Sequence, residues 1–375
     1  MKKVIMKMPK VCAVLIGLVA TAAFLGVLNL VGRVGEAWIP SLTEYGYATQ
    51  MIGELFACAF SVIILAVFGY LGVLKEKGVG FGKSAYVGGF FIGYLGYILV
   101  AQLMINLINT NSRLQSFPAI LIFVITMFLV GAAEEILFRG AILNLLLDRF
   151  SNTKGGILLA VLLDGLIFGC AHFGNLSTGV KFSSILIQVI TAGLLGGIFA
   201  IIYARTRNIW YVIVAHAAVD FAALLGGGIF GNGDLIDALG SYSAKNLIAV
   251  PILLIPLIVL CRKSRLEEAV KMREGQEIVP TEKDAKRDGI VSLVLGIISI
   301  VTSCIGMSFG LGIVGCIAAV SSKKAKKENN GIAIAGLITS IIGTALGILM
   351  SICLLFVYAS MDSMSKALIW EQMGM

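Results

Sequence analysis

The sequence predicts an all-α, polytopic transmembrane helical bundle, and three observations lead to it. Of 375 residues, 58% are hydrophobic and only 13% charged, with a mean hydropathy of +0.98; soluble domains carry about 25% charged residues. The apolar residues gather in windows near 11–32, 51–74, 86–108, 118–143, 157–174, 184–204, 209–226 and 246–261, most of them close to the roughly 20 residues that cross a hydrocarbon core. Lys and Arg stand in alternate loops between these windows. Lipid offers no partner to backbone N–H and C=O groups, so the spans must be helices. About eight of them form the main bundle, followed by a C-terminal module of two or three more.

The first window follows Lys2, Lys3, Lys7 and Lys10, and its Ala20-Thr21-Ala22 resembles a leader cleavage site. The apolar run nevertheless continues from Val11 to Gly32, which is spanning length, so a retained helix is expected. Orientation follows from the basic residues. Lys2 to Lys10, Lys75/Lys77/Lys83, Arg149/Lys154, Arg205/Arg207 and the segment from Arg262 fall on one side, opposite Arg33, Arg113, Lys181 and Lys245. The first set is expected in the cytoplasm, together with the N-terminus. The net charge of +8 therefore reads as topology, with the bilayer as partner and no nucleic acid expected. Seven cysteines without a CxxC pair indicate neither a disulfide framework nor a zinc ribbon.

Residues 262–288 mix both charge signs, include Pro280 and hold no apolar run, so they are expected as a cytoplasmic linker, with a short surface helix over Ser264 to Gln276. Two Gly-Ile-led apolar segments follow, Gly289 to Val320 and Gly331 to Tyr358, around a basic knot of Lys323, Lys324, Lys326 and Lys327. The first of these forms either one long helix or a hairpin of two short passes. The expected organisation is thus a helical bundle at 1–261, a linker at 262–288 and an accessory membrane domain at 289–375.

Five side chains are out of place in so apolar a chain. Its two histidines, His172 and His216, lie in apolar windows, and another window holds Glu134, Glu135 and Arg139. A charge at the bilayer centre costs about 2.5–3.5 kcal/mol on insertion scales, which marks such residues as functional candidates. On a helix Glu135 and Arg139 are four residues apart and can pair. Glu134 points about 100° away and is free to take a proton. In His216-Ala-Ala-Val-Asp220 the same spacing puts imidazole and carboxylate on one face. A carboxylate and imidazoles converging in a dry pocket can activate water for attack on a carbonyl. Two His and a Glu are also the ligand types of a catalytic zinc site, though HExxH is absent.

In order and spacing, Glu134-Glu135-x-x-x-Arg139, Phe168-x-x-x-His172 and His216-x-x-x-Asp220 resemble the motifs of the CPBP family, which comprises type II CAAX prenyl endopeptidases and bacteriocin-processing or immunity (Abi) proteins. The resemblance covers roughly residues 80–226. It implies an intramembrane endopeptidase in the bacterial cell membrane, acting on a peptide or a membrane-protein segment. It further implies that Glu134 and His172 activate water, that His216 and Asp220 bind the oxyanion or help hold a metal, and that Arg139 orients Glu135. Both a zinc ion on Glu134, His172 and His216 and a metal-free site are compatible with it. Many members carry Asn where Asp220 stands, and Asp donates a hydrogen bond only when protonated.

Counting along the windows puts His172 near the far side of the membrane and Glu134 nearer the middle, so the helix of His172 must enter late or tilt. Glu54 and Asp164 are expected as ordinary helix-end charges, with the alternative that Asp164, eight residues before His172 and on roughly the same helical face, supports the site. Residues 288–358 resemble a small two-helix membrane domain found appended to bacterial membrane proteins. The chain ends Gln372-Met373-Gly374-Met375 and is not expected to be prenylated itself. The rival readings are a non-catalytic immunity or scaffold protein and a proton-coupled transporter. The latter would show an internal repeat with matched broken helices, and none is seen in residues 1–261.

Overall fold

Each apolar window folds as a helix. The computed structural model describes residues 7–38, 46–76, 78–108, 112–150, 152–233, 235–276, 282–303, 309–325 and 331–359. Lys2, Lys3, Lys77, Pro280, Cys304, Lys326 and Lys327 lie outside them. The helices are α1 (Lys10–Trp38), α2 (Ala48–Phe68), α3 (Phe81–Val87), α4 (Gly89–Ile108), α5 (Phe117–Glu135), α6 (Asn144–Arg149), α7 (Lys154–Ala171), α8 (Phe182–Thr206), α9 (Ile209–Ala223), α10 (Leu225–Phe230), α11 (Leu235–Gly240), α12 (Ala249–Leu260), α13 (Lys263–Arg273), α14 (Glu282–Val301), α15 (Phe309–Ala325) and α16 (Gly331–Ala359). A π-helical stretch, Ile136–Leu143, joins α5 to α6. No strand occurs among the described residues.

Among the described residues, six stretches are long and apolar enough to span: Lys10–Val34, Ala48–Phe68, Phe117–Arg149, Lys154–Thr178, Phe182–Thr206 and Gly331–Cys353. A seventh candidate is the bent pair of Ala244–Leu260 and Lys263–Arg273, which turns by 60°. The protein is an integral multi-pass membrane protein.

The described residues divide into two compact units, 1–87 with 114–278 and 88–113 with 279–375. The division does not follow the chain at residue 261. Helix α4, expected in the main bundle, belongs to the second unit. In the expected linker, α13 folds onto the first: Leu266 and Ala269 are buried, Arg205 pairs with Glu268, Arg273 with Asp148 at 2.9 Å, and Lys154 with Glu267 at 3.2 Å. A charged surface helix is thereby pinned by its carboxylates to basic residues at the ends of α7 and α8, and by Arg273 to Asp148 on α6.

Those contacts all lie at one end of the first unit. Arg149 donates to the carbonyl of Met8, Tyr70 to Asp148 at 2.8 Å, and Arg207 to Glu76 at 2.7 Å. Arg149, Lys154, Arg205, Arg207 and Arg273, all from the first set of basic residues read from the sequence, are therefore gathered at one end.

The first unit is tightened by glycine. Gly165 and Gly169 on α7 face Gly193 and Gly197 on α8; a Cβ on Gly165 would lie 2.8 Å from both the Gly193 oxygen and the Gly197 nitrogen. Gly131 on α5 meets α9 the same way, 2.8 Å from the Ile213 oxygen. Lipid supplies no hydrophobic drive between helices, so backbone-to-backbone packing at small residues replaces it. In the second unit, α14 and α15 pack side by side with α16, so the described residues between 289 and 320 form two helices rather than one long one. Ser340 donates to the Ser292 carbonyl there at 3.2 Å, and glycines 296, 312, 336 and 343 sit where any Cβ would collide with a Ser or Thr side chain across the interface.

Gly165→Leu and Gly131→Leu are expected to lower the thermal midpoint in detergent, each by overpacking worth about 1–3 kcal/mol or more. Gly155→Ala, with open space around its Cβ, should leave it unchanged. Equal midpoints for all three would mean that these crossings are not the tight contacts described.

Candidate active site

Arg139 is the buried centre of the first unit, with no exposed surface. It stands in the π-helical stretch that continues α5. Its Nη1 donates to Glu135 Oε1 at 2.7 Å, its Nη2 to the Gly196 carbonyl at 2.8 Å, and its Nε faces Asp164 Oδ2 at 3.5 Å. The guanidinium lies 4.5 Å from the Phe168 ring centroid and 5.5 Å from that of Phe199. Carboxylates, a carbonyl and aromatic faces thus surround one permanent cation, which is what a buried charge requires. The carbonyl of Gly196 is reachable because glycine lets α8 approach; a Cβ there would come 3.1 Å from Arg139 Nη2.

Glu135 connects this centre to α9. His216 Nδ1 lies 2.7 Å from the same Glu135 Oε1 that Arg139 holds. The imidazole stacks on Phe199, with centroids 5.2 Å apart and planes 27° apart. Its other nitrogen, Nε2, lies 3.6 Å from Glu134 Oε2 and 3.4 Å from Asp220 Oδ2. Glu134 and Asp220 remain 19% and 25% exposed, whereas Glu135 is fully buried. The two adjacent glutamates therefore occupy different environments: Glu135 is enclosed and held, while Glu134 is accessible.

His172 caps the C-terminal end of α7. Its Nδ1 lies 3.1 Å from the Phe168 carbonyl. No hydrogen bond or ion pair joins it to Glu134, His216 or Asp220 among the described residues. Phe168 stands between, its ring 5.2 Å from His172 and 5.7 Å from His216. The structure thus brings Glu134, Glu135, Arg139, His216 and Asp220 into direct contact and places His172 beside them, one aromatic ring away. The expected mismatch in depth disappears, because the helix of Glu134 runs past its apolar window to Arg149. Measured from the Arg149/Lys154 end, Glu134 and His172 then lie about 22 and 27 Å along their helices.

Asp164 is a correction to the sequence reading. It is not a helix-end charge but fully buried, against Arg139. Glu54 is likewise 6% exposed rather than solvated. Sequence reasoning also passed over Asn144, whose amide donates to the Arg139, Gly140 and Tyr203 oxygens at 2.9, 2.8 and 3.0 Å. A π-helical stretch displaces the usual i→i−4 pairing, and Asn144 takes up the carbonyls that result. Its Oδ1 accepts from Arg207 at 2.6 Å, and Arg207 itself has a left-handed backbone, φ 51°. Gly78 fits against this turn only because it lacks a Cβ, which would run into the Arg207 carbonyl.

The described residues show no preformed zinc site on Glu134, His172 and His216. Among the described residues no three His, Cys, Asp or Glu side chains are grouped to hold a metal ion. His216 Nδ1 is engaged by Glu135, which leaves Nε2 facing Glu134 and Asp220, and His172 Nδ1 is engaged by the Phe168 carbonyl.

Residues 116–222 match the family model described as type II CAAX prenyl endopeptidase Rce1-like. Over these residues the chain is similar to type II CAAX prenyl endopeptidases. The match contains every motif residue from Glu134 to Asp220 and supports the CPBP membership that the motif order implies. It implies a CAAX-type protease, hence a hydrolase, embedded in the bilayer. No curated protein and no solved structure matches the chain.

Arg139→Leu is expected to lower the thermal midpoint in detergent, because Glu135 and Asp164 lose their cation; unpairing a buried charge costs about 3–5 kcal/mol. The double variant Arg139→Leu/Glu135→Leu should recover part of that loss. A midpoint for Arg139→Leu equal to that of the wild type would contradict the ion pair.

Proposed function

We propose that the Rce1-like domain hydrolyses a peptide bond within the membrane, using water activated by Glu134 and His172. The supporting observation is the unequal treatment of the two glutamates: Glu135 is tied to Arg139 and His216, leaving Glu134 as the accessible carboxylate beside the free face of the His216 ring. The substrate is a peptide or a membrane-protein segment, in the manner of CAAX- and bacteriocin-processing endopeptidases.

Glu134 takes a proton from water as the oxygen attacks the scissile carbonyl carbon. His172, with Nδ1–H donated to the Phe168 carbonyl, presents Nε2 as an acceptor that orients the same water. The oxyanion is stabilised by His216 Nε2–H in the imidazolium form, whose Nδ1–H is fixed by Glu135. Asp220 beside Nε2 holds that ring and, when protonated, can itself donate. As the C–N bond breaks, the proton held by Glu134 passes to the departing amine, so atoms and charge balance. No step requires a metal.

Glu134→Gln keeps the size of the side chain but cannot accept the proton, and it should abolish cleavage without moving the thermal midpoint. Turnover by the purified variant would remove Glu134 from the mechanism. Metal analysis of the purified wild type should find far less than one equivalent of zinc, with strong chelators leaving turnover intact. One equivalent that disappears together with activity in His216→Ala would replace this mechanism by a metal-dependent one.

A further inference from the structure

Arg207 is the one non-glycine residue with a left-handed backbone among the described residues, φ 51°. Such a conformation persists only where the surroundings fix it. Here the guanidinium does so in two directions. Its Nε and Nη2 donate to the two carboxylate oxygens of Glu76 at 2.9 and 2.7 Å, and its Nη1 donates to Asn144 Oδ1 at 2.6 Å. The segment of Glu76 is itself stitched to this turn. Val79 N–H donates to the Thr206 carbonyl at 2.8 Å, the Asn208 amide to the Val79 carbonyl at 2.9 Å, and Trp210 Nε1 to the Leu74 carbonyl at 3.1 Å. None of these residues belongs to the three motifs, and the hydrolysis above uses none of them.

The clamp acts on Asn144, which is 5% exposed and opens α6 where the π-helical stretch ends. A return from i→i−5 to i→i−4 pairing leaves a carbonyl that the backbone ladder passes over. The Asn144 amide nitrogen lies 2.9 and 2.8 Å from the Arg139 and Gly140 carbonyls and supplies the missing donor. An amide turned the other way would set its oxygen against those carbonyls. A guanidinium can only donate, so Arg207 keeps the amide oxygen on its own side and the N–H groups on the other. The π-helical stretch takes about one residue more per turn than an α-helix. Relaxed to α pairing, it would rotate Glu134 and Glu135 by about 100° against α6. Both glutamates would then turn away from His216, from which they now lie 3.6 and 2.7 Å.

Resting on the protease reading, we infer that Asn144, oriented by Arg207 and Glu76, is a positioning residue for the hydrolysis. It keeps Ile136–Leu143 in π-helical pairing and so keeps Glu134 and Glu135 turned to His216. It follows Glu134 by about 15 Å along the helix, so it touches neither the substrate nor the reacting atoms. Glu76, at the far end of these contacts, is 34% exposed. The aim of the buried glutamates is thereby set from the end of the first unit where the basic residues gather.

The test uses the full chain in nanodiscs, as wild type, Asn144→Leu and Arg207→Gly. Leu removes the amide and suits an apolar helix. Gly removes the guanidinium but takes the left-handed backbone without strain, so this variant keeps the turn. Turnover is followed on the decapeptide that the wild type cleaves fastest from a random library. Both variants should lower kcat about tenfold to a hundredfold with KM within about twofold of wild type, because the reacting groups are misplaced while substrate binding is retained. Wild-type kcat in either variant overturns the inference. A second measurement does not depend on turnover. In 15N spectra of histidine-labelled protein the His216 resonance should move in both variants, while that of His172 stays in place. A His216 resonance that does not move overturns the inference, and a lowered thermal midpoint without that movement makes Asn144 a stabilising residue only. A wild type that cleaves no peptide would defeat the protease reading, and the His216 resonance would still report whether Asn144 positions the glutamates.

Discussion

The buried guanidinium of Arg139 is the interaction on which the rest of the first unit depends. One cation touches α5 through Glu135, α7 through Asp164 and Phe168, and α8 through the Gly196 carbonyl and Phe199. Through Glu135 it also reaches His216 on α9. Four helices that lipid would not drive together are thereby tied at one depth. The cost of burying the charge is offset by hydrogen bonds and aromatic faces, and the tight glycine crossings let the partners come close enough to provide them.

The same arrangement separates holding from reacting. Glu135 is spent twice, on Arg139 and on His216, and is sealed from solvent. Glu134 follows α5 round to the other side of the ring and keeps access to the site. The π-helical stretch at Ile136–Leu143 lets this happen within a continuous span, with Asn144 accepting the cost of the displaced carbonyls and linking them to Arg207 at the basic end. Such stretches recur at functional sites because they re-aim side chains without breaking a helix.

Much of this was legible in the sequence where the physics is local. Glu135 with Arg139 and His216 with Asp220 are both four apart on helices, and that spacing alone puts each pair in reach. The apolar windows and alternating basic loops gave helices and a common end for the charges. What connects distant segments was not legible. The bond between Glu135 and His216 spans 81 residues, and the spacing that sets Asp164 on the helical face of His172 does not reveal that Arg139 is its partner. Helix α4 is apolar like its neighbours, so composition could not reveal that it packs with the C-terminal helices. The charged segment at 263–273 looked like a linker because its partners, Asp148, Lys154 and Arg205, are more than 50 residues away.

The central claim is that Glu135, held by Arg139, fixes the His216 ring so that Nε2 faces Glu134 and Asp220. With only two histidines in the chain, it can be read directly by 15N NMR of histidine-labelled protein in nanodiscs. The account predicts a proton on Nδ1 of His216 whose resonance moves in Glu135→Gln, while that of His172, bonded to the Phe168 carbonyl, stays in place. A His216 ring protonated at Nε2 alone, or indifferent to Glu135→Gln, would contradict it.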